Sequence, residues 1–355
     1  MKFLIIPLTL VILFFLERVV FRKIWRKGLD VSVTFSENTI RSGEDVVVRE
    51  KSVNKKRIPL SFVSVEWGLE RLCSQYKEDD KAFVVSSSFS LPGYSSVKRN
   101  KSINGLKRGV YKVINGIIGS TDLFSSEEYS CPFFSNSTLY VLPSRINTFS
   151  SSYAYRGFLG TVLSHRMSQE DPFEIKAIRP YFPTDSMRVV NWKASAKTGS
   201  LKVNQYEWTT DESVMVMLDL SRGDEEERET LIEYVSSFCS LILERGVSLC
   251  LTSNGRDSVD GTAVRVDEGS GGGHIDTVDR ALSTIKVSSS DKASLSPLLR
   301  NSINKDLSSV PVLFSVSAEE SEIDLFFSLS NNIGAVFLLK GKERDNVFLL
   351  ESGNE

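Results

Sequence analysis

Between Leu29 and about Arg145, apolar and polar residues alternate in short runs separated by polar turns. Val31, Val33 and Phe35, for example, interleave with Ser32, Thr34 and Ser36. A period of two is the mark of a half-buried strand. Similar runs at Asp45–Val53, Leu60–Leu69, Ala82–Ser90, Gly93–Ile103, Gly109–Ile118 and Ser137–Leu142 predict about seven strands and an all-β, immunoglobulin-like sandwich. Further on, Val214–Leu218 is continuously apolar, as in a strand covered on both faces. A helix is predicted from Glu225 to Arg245, because Leu231, Tyr234, Val235, Phe238, Cys239 and Ile242 keep helical spacing and Gly246 can end it. Strand Val247–Thr252, a helix near Ile275–Ile285, strand Val310–Val316, a helix near Glu319–Ser330 and strand Ala335–Leu339 continue the alternation. That order predicts a doubly wound, Rossmann-like α/β domain whose crevice lies at the carboxyl ends of the strands, beside Asp219 and Ser221.

Phe3–Leu16 is apolar apart from Thr9, and extending the run through Val19, Val20 and Phe21 gives a helix of about 30 Å. A transmembrane anchor over residues 3–21 is therefore expected, with Glu17 and Arg18 snorkelling and Trp25 at the interface. A cleaved signal peptide would need a small-residue cleavage site, which the following Glu-Arg-Val-Val-Phe-Arg-Lys lacks, and an interfacial helix is the third option. Arg18, Arg22, Lys23, Arg26 and Lys27 after the span predict a single-pass protein of the bacterial cell membrane with its bulk in the cytoplasm. The expected division is 1–28 anchor and basic juxtamembrane segment, 29–145 sandwich, 146–207 connector and 208–355 α/β domain.

Composition narrows the function. At 355 residues, 41% hydrophobic and 25% charged, the chain has material for two globular domains. Its 43 Lys and Arg against 45 Asp and Glu make no field for nucleic acid. Cys73, Cys131, Cys239 and Cys250 are widely spaced and read as reduced, buried hydrophobes; with His165 and His274 as the two histidines, imidazole chemistry has little to build on.

The stretch Ile178-Arg-Pro-Tyr-Phe-Pro-Thr-Asp-Ser-Met-Arg-Val-Val-Asn-Trp-Lys-Ala-Ser-Ala-Lys-Thr-Gly199 resembles the signature of the bacterial family called domain of unknown function 58. Gly105-Leu-Lys-Arg-Gly-Val-Tyr111, Ser120-Thr-Asp-Leu-Phe124 and Leu139-Tyr-Val-Leu-Pro-Ser144 are similar to the end of that family's sandwich. Val214-Met-Val-Met-Leu-Asp-Leu-Ser221 is similar to the first strand of its von Willebrand factor type A-like domain. Thr184 stands where many members have Gly. The resemblance implies a membrane-tethered protein without established activity, thought to cooperate with MoxR-type AAA+ ATPases in maturing or assembling other proteins.

Two groups of residues could carry chemistry. Asp219-Leu-Ser-Arg-Gly223 lies where type A domains hold Mg²⁺ through Asp-x-Ser-x-Ser, with Gly223 in place of the second Ser. The alternative is that Ser221 or Asp224 caps the helix that follows, and that Asp224–Glu227 favour its positive end and repel phosphate. The signature supplies Arg179, Tyr181, Asp185, Arg188, Asn191, Trp192, Lys193 and Lys197. Asp185 is expected to cap a short helix carrying Arg188 over Trp192 and ending at Gly199, and to clamp sandwich to α/β domain through Arg179 or Arg188; a partner-docking surface and an active site are the alternatives. Gly269-Ser-Gly-Gly-Gly273 lacks a P-loop ending and is expected to be a flexible loop. The leading expectation is a non-catalytic interaction or assembly factor, ahead of a Mg²⁺-dependent adhesion module and, remotely, a hydrolase; no hydrolase signature is present.

Overall fold

The computed structural model describes residues 2–73, 84–122, 127–146, 152–166, 170–208, 213–286, 295–303, 309–330, 334–339 and 347–351. Ala82 and Phe83, at the start of one expected strand, lie outside this set, as do Leu123, Phe124 and the side chain of His165. The chain divides into two compact units that are not consecutive in sequence. The first comprises Met1–Ser144, Arg256–Thr262 and Asp279–Ser288; the second holds Arg145–Gly255, Ala263–Val278 and Ser289–Glu355.

The first unit begins with α1 (Lys2–Ile24) and continues through nine strands. These are β1 (Leu29–Phe35), β2 (Thr39–Arg41), β3 (Val46–Asn54), β4 (Leu60–Arg71), β5 (Val85–Leu91), β6 (Ser95–Ile103), β7 (Gly109–Thr121), β8 (Glu128–Phe133) and β9 (Thr138–Leu142). Three form an antiparallel sheet in the order β1-β3-β6; the other six run β2-β9-β7-β4-β5, with β8 added to β7. The inward side chains of both sheets meet in one core that includes Val33, Val46, Val48, Val63, Val65, Trp67, Ile118 and Leu139. Period-two burial brings this about: in β3, residues 46, 48, 50, 52 and 54 are buried in turn. Glu50 lies on that inner face and accepts from Trp67 Nε1 at 3.1 Å and Ser87 Oγ at 2.9 Å, so a carboxylate in the core has partners.

The expected architecture headed by a transmembrane helix does not hold. No helix among the described residues is long and apolar enough to cross a membrane, and most elements of the chain are strands. The sequence pattern counted Phe21 in the span and set Trp25 at the membrane interface, but both are buried, at 6% and 7% exposure, within the sandwich core. Each ring lies against Tyr129, with centroids 5.8 and 6.2 Å away. Arg18 pairs with Glu127, and Lys56 donates to the carbonyls of Ile24 (3.0 Å) and Trp25 at the end of α1. Burial, and then the charge of Arg26, pull the Lys56 amine down to about 8. The last turns of α1 are thus committed to protein contacts, and the uncharged run Phe3–Leu16 covers only about 21 Å at 1.5 Å per residue. Between Leu8 and Val20 the large apolar side chains of α1 are mostly exposed.

The second unit is built on a mostly parallel sheet. After Ser144 the elements follow the chain as α2 (Tyr153–Arg166), β10 (Glu170–Pro180), α3 (Trp192–Thr198), β11 (Lys202–Trp208), β12 (Ser213–Leu218), α4 (Glu225–Glu244), β13 (Ser248–Asp257), β14 (Ala263–Gly269), α5 (Gly272–Thr284), β15 (Ile285–Lys286), α6 (Leu295–Ile303), β16 (Val310–Ser315), α7 (Glu320–Leu329), β17 (Ala335–Leu339) and β18 (Val347–Glu351); the ends of α5 and β13, with β15, belong to the first unit. The sheet order is β14-β13-β12-β16-β17-β18; β13, β12, β16 and β17 run parallel, and β18 returns antiparallel. Every residue of β12 and β16 is buried, because helices cover both faces. On one face Phe158, Phe238, Phe314 and Phe337 form an aromatic cluster, with Phe314 and Phe337 stacked at 4.7 Å. On the other, Met215, Met217, Leu313 and Val336 pack against Leu295, Leu299 and Phe326. The glycine run expected to be a loop instead ends β14 and opens α5, with Gly271 in the left-handed region at φ 80°.

Candidate functional site

Asp219 follows β12, and the end of that strand fixes its surroundings. The residue is 1% exposed. One oxygen accepts from the Ser221 amide (3.0 Å) and from Asn254 Nδ2 (2.6 Å), and the other from Ser315 Oγ (2.8 Å). Asn254 Oδ1 in turn accepts from the Leu220 amide at 2.8 Å. Three neighbouring strands, β12, β13 and β16, are thereby tied at their carboxyl ends. Arg222 reaches Glu319 (2.8 Å) and Glu322 (3.1 Å) at the start of α7. Asp224 caps α4: its carboxylate accepts from the Glu227 amide at 2.8 Å while the Glu227 carboxylate accepts from the Asp224 amide at 2.9 Å.

This arrangement does not suit a divalent ion. A magnesium site needs several oxygens converging on an open position, and here donors already occupy both oxygens of Asp219. Among the described residues no group of three or more His, Cys, Asp or Glu could hold a metal. The position of the missing serine explains why it cannot simply be restored. Gly223 has φ 90°, and a Cβ there would lie 2.9 Å from both methyls of Val316 and 3.0 Å from a Glu227 oxygen.

The signature residues gather elsewhere in the second unit, on an arm. β10 and β11 form a two-stranded antiparallel ribbon, with Ile178 opposite Asn204 and Pro180 opposite Lys202. Such a ribbon is marginal alone, and the connection folds back to support it. Asp185 accepts from both Arg179 terminal nitrogens, at 2.7 Å each, and from the Phe182 amide at 2.8 Å. Arg179 also lies over the Phe182 ring, 5.5 Å from its centroid. Asp185 therefore staples a local turn and does not cap a helix. The expected helix is interrupted: a 3-10 turn at Met187–Val189, capped by Ser186, is separated from α3 by Val190, which bridges Val203. Asn191 caps α3 through the Ala194 amide at 2.9 Å and donates to Asn204 at 2.8 Å. Arg188 and Trp192 thus sit on different elements, and Tyr181 contributes its amide, bonded to Leu201 O at 3.0 Å. Val190, Val203 and Ser195 of α3 are buried, while Lys193 and Lys197 face solvent with Trp192, which is 62% exposed.

The model for proteins of unknown function DUF58 matches residues 177–245, from β10 to the end of α4. The family likeness is shown for this segment, 69 of the 355 residues. No curated protein matches it. Among solved structures, the CARDB domain of a Pyrococcus furiosus protein, crystallised with two metal ions, is 9% identical over 33% of this chain and 90% of its own, with a TM-score of 0.23. A type II cohesin module from the Acetivibrio cellulolyticus scaffoldin ScaA is 8% identical over 33% of this chain and 99% of its own, also at 0.23. The putative ApaA protein of Bordetella pertussis gives 9%, 32%, 91% and 0.23. Likeness this weak carries no functional argument.

The arm's staple has a pH signature. Chiefly through its hydrogen bonds from Arg179, and then the Phe182 amide, the Asp185 carboxyl falls from 3.8 to about 2. A depressed folded value stabilises above the unfolded one and loses that stabilisation as pH falls. Pepsin cleavage within Ile178–Lys202 is expected to rise as the pH drops from 3.8 toward 2. Asp185→Asn should be cut readily at the upper end of that window already, and equal cleavage of both proteins there would refute the staple.

Proposed function

We propose that this protein is a non-catalytic interaction or assembly factor whose docking surface is the β10–α3–β11 arm. One observation supports this above others: six of the seven exposed large apolar side chains described in the second unit lie on the arm. They are Ile175, Ile178, Phe182, Met187, Trp192 and Leu201; the seventh is Leu350. Concentrated apolar exposure marks a surface that is covered in use, and tryptophan is among the residue types enriched at binding hot spots. The arm is also pre-organised by the Arg179–Asp185 staple and the Asn191 cap, so little ordering cost falls on association. The cysteines form no disulfide among the described residues, in keeping with a cytoplasmic setting, and family resemblance suggests a MoxR-type AAA+ ATPase as partner.

Full-length protein carrying a photo-crosslinking side chain at position 187 is expected to form a discrete protein adduct in cells, sensitive to ATP depletion and reduced by Trp192→Ala. The same probe at position 350 should not form it. Identical adducts from both positions, or none at 187, would remove the arm as docking surface.

A further inference from the structure

The near-neutral charge of the whole chain conceals a division between its units. The first carries 24 Lys and Arg against 17 Asp and Glu, the second 19 against 28. Part of the first unit's excess lies on the outer face of the β1-β3-β6 sheet. Residues paired across strands share a face, so Ser32, Lys51 and Lys98 form one exposed row and Thr34, Arg49 and Asn100 the next. The three strands hold five bases and two acids, and both acids are engaged: Glu50 lies in the core, bonded to Trp67, and Asp30 pairs with Lys55 at 2.8 Å. Arg49, Lys51 and Lys98 form no ion pair among the described residues, and Lys51 stands directly opposite Lys98, an arrangement that repels.

More bases gather at the end of the sheet where Leu29, Asn54 and Ser95 align. Residues 22–30 and 54–58 hold seven, with Asp30 as the one acid. Lys56 donates to the carbonyls of Ile24 and Trp25, and the Tyr94 amide donates to Lys56 O at 2.9 Å, so the last turn of α1 and two strand connections meet there. Tyr94, 73% exposed, and Ile58 stand out among these bases. The acids Glu37, Glu44 and Asp45 lie at the other end of the sheet, in the connections from β1 to β3.

We infer that this end of the sandwich, with the adjoining outer face of its first sheet, docks on an anionic phospholipid surface. The bases meet lipid phosphates, whose negative potential draws clustered Lys and Arg within a Debye length, while Tyr94 and Ile58 enter the headgroup layer. A nearly planar layer of phosphates suits a broad, open face. The two exposed rows carry no aromatic or apolar side chain, so they offer neither a platform for stacked bases nor an apolar anchor for a protein partner. This contact needs no helix that crosses the bilayer, and it belongs to a different unit from the arm.

Flotation of full-length protein with vesicles of phosphatidylcholine, alone or mixed with phosphatidylglycerol, tests this. Phosphatidylglycerol should tighten binding by roughly tenfold or more, and added salt should reverse the gain. Arg57→Glu with Lys98→Glu should remove most of the gain while leaving the phosphatidylcholine result unchanged, which separates headgroup recognition from adhesion through α1. Lys98→Glu alone sets opposite charges across from each other, so its melting temperature should hold or rise while lipid binding weakens. A polarity-sensitive fluorophore at position 94 should shift to the blue on the mixed vesicles, and one replacing Phe134, which is 81% exposed, should not. The inference is overturned if phosphatidylglycerol adds nothing, if the charge reversals leave its effect intact, or if both fluorophores shift alike. Tighter binding of single-stranded DNA or polyglutamate to these residues than of the mixed vesicles would overturn it too.

Discussion

Arg108→Ala is expected to lower the unfolding free energy by about 3–5 kcal/mol, since charge-assisted hydrogen bonds are each worth roughly 1.5–3 kcal/mol and their buried acceptors would be orphaned. Arg108 is 3% exposed, and its Nη1 donates to the carbonyls of Leu282 (2.7 Å), Ser283 (3.3 Å) and Ile285 (3.0 Å). These are the last carbonyls of α5 and the residue after it, which have no further turn to bond to and carry the negative end of the helix dipole. Nearby, Arg41 pairs with the buried Asp279 at 2.8 Å, and Arg280 lies 4.2 Å over the Tyr140 ring. Urea unfolding of the full chain checks the figure. Arg108→Lys, which offers a point charge in place of a planar fork, should recover only part of the loss. A change below about 1 kcal/mol for Arg108→Ala would mean that other groups satisfy these carbonyls.

Asp219→Ala should cost roughly 2–4 kcal/mol, because removing one partner from a buried charged network leaves the remaining donors unsatisfied. The Ser221 amide, Asn254 and Ser315 would each lose an acceptor, and three strand ends would lose their tie. Ser315→Ala removes a single bond and should cost about 1 kcal/mol. The same protein separates this account from a metal site. Magnesium should leave the melting temperature of the unsubstituted chain unchanged; a saturable rise that disappears in Asp219→Ala would show that the ion, not the hydrogen bonds, is what Asp219 serves.

What could be read from the sequence depended on how local the cause was. Strands such as β1 and β12 announce themselves because burial repeats within a few residues: alternate positions in one, every position in the other. Strand β2, three residues long, has no period to detect. Helix α1 misled because its apolar run predicts an apolar neighbour without saying which, and Phe21 and Trp25 found the sandwich core. In the signature, Pro183-Thr184-Asp185 reads as a helix start, yet Asp185 turns back to Arg179 and Val190 leaves the helix to bridge Val203. The partners of Arg108 lie 174 to 177 residues away, so nothing near it in sequence marks its role. Its place in Gly105–Tyr111, one of the stretches with family resemblance, was the available signal.

The interleaving of the two units bears on how the chain is made. A nascent polypeptide that has emerged only through Ser144 has β1 to β9 but not Arg256–Thr262, the end of α5 or β15. Until residues near 286 leave the ribosome, Arg108 lacks the carbonyls of Leu282, Ser283 and Ile285, and Arg41 lacks Asp279. Maturation of the amino-terminal half therefore waits on synthesis of the carboxyl-terminal half, and a fragment cut at the apparent boundary should be a poor substitute for the intact molecule.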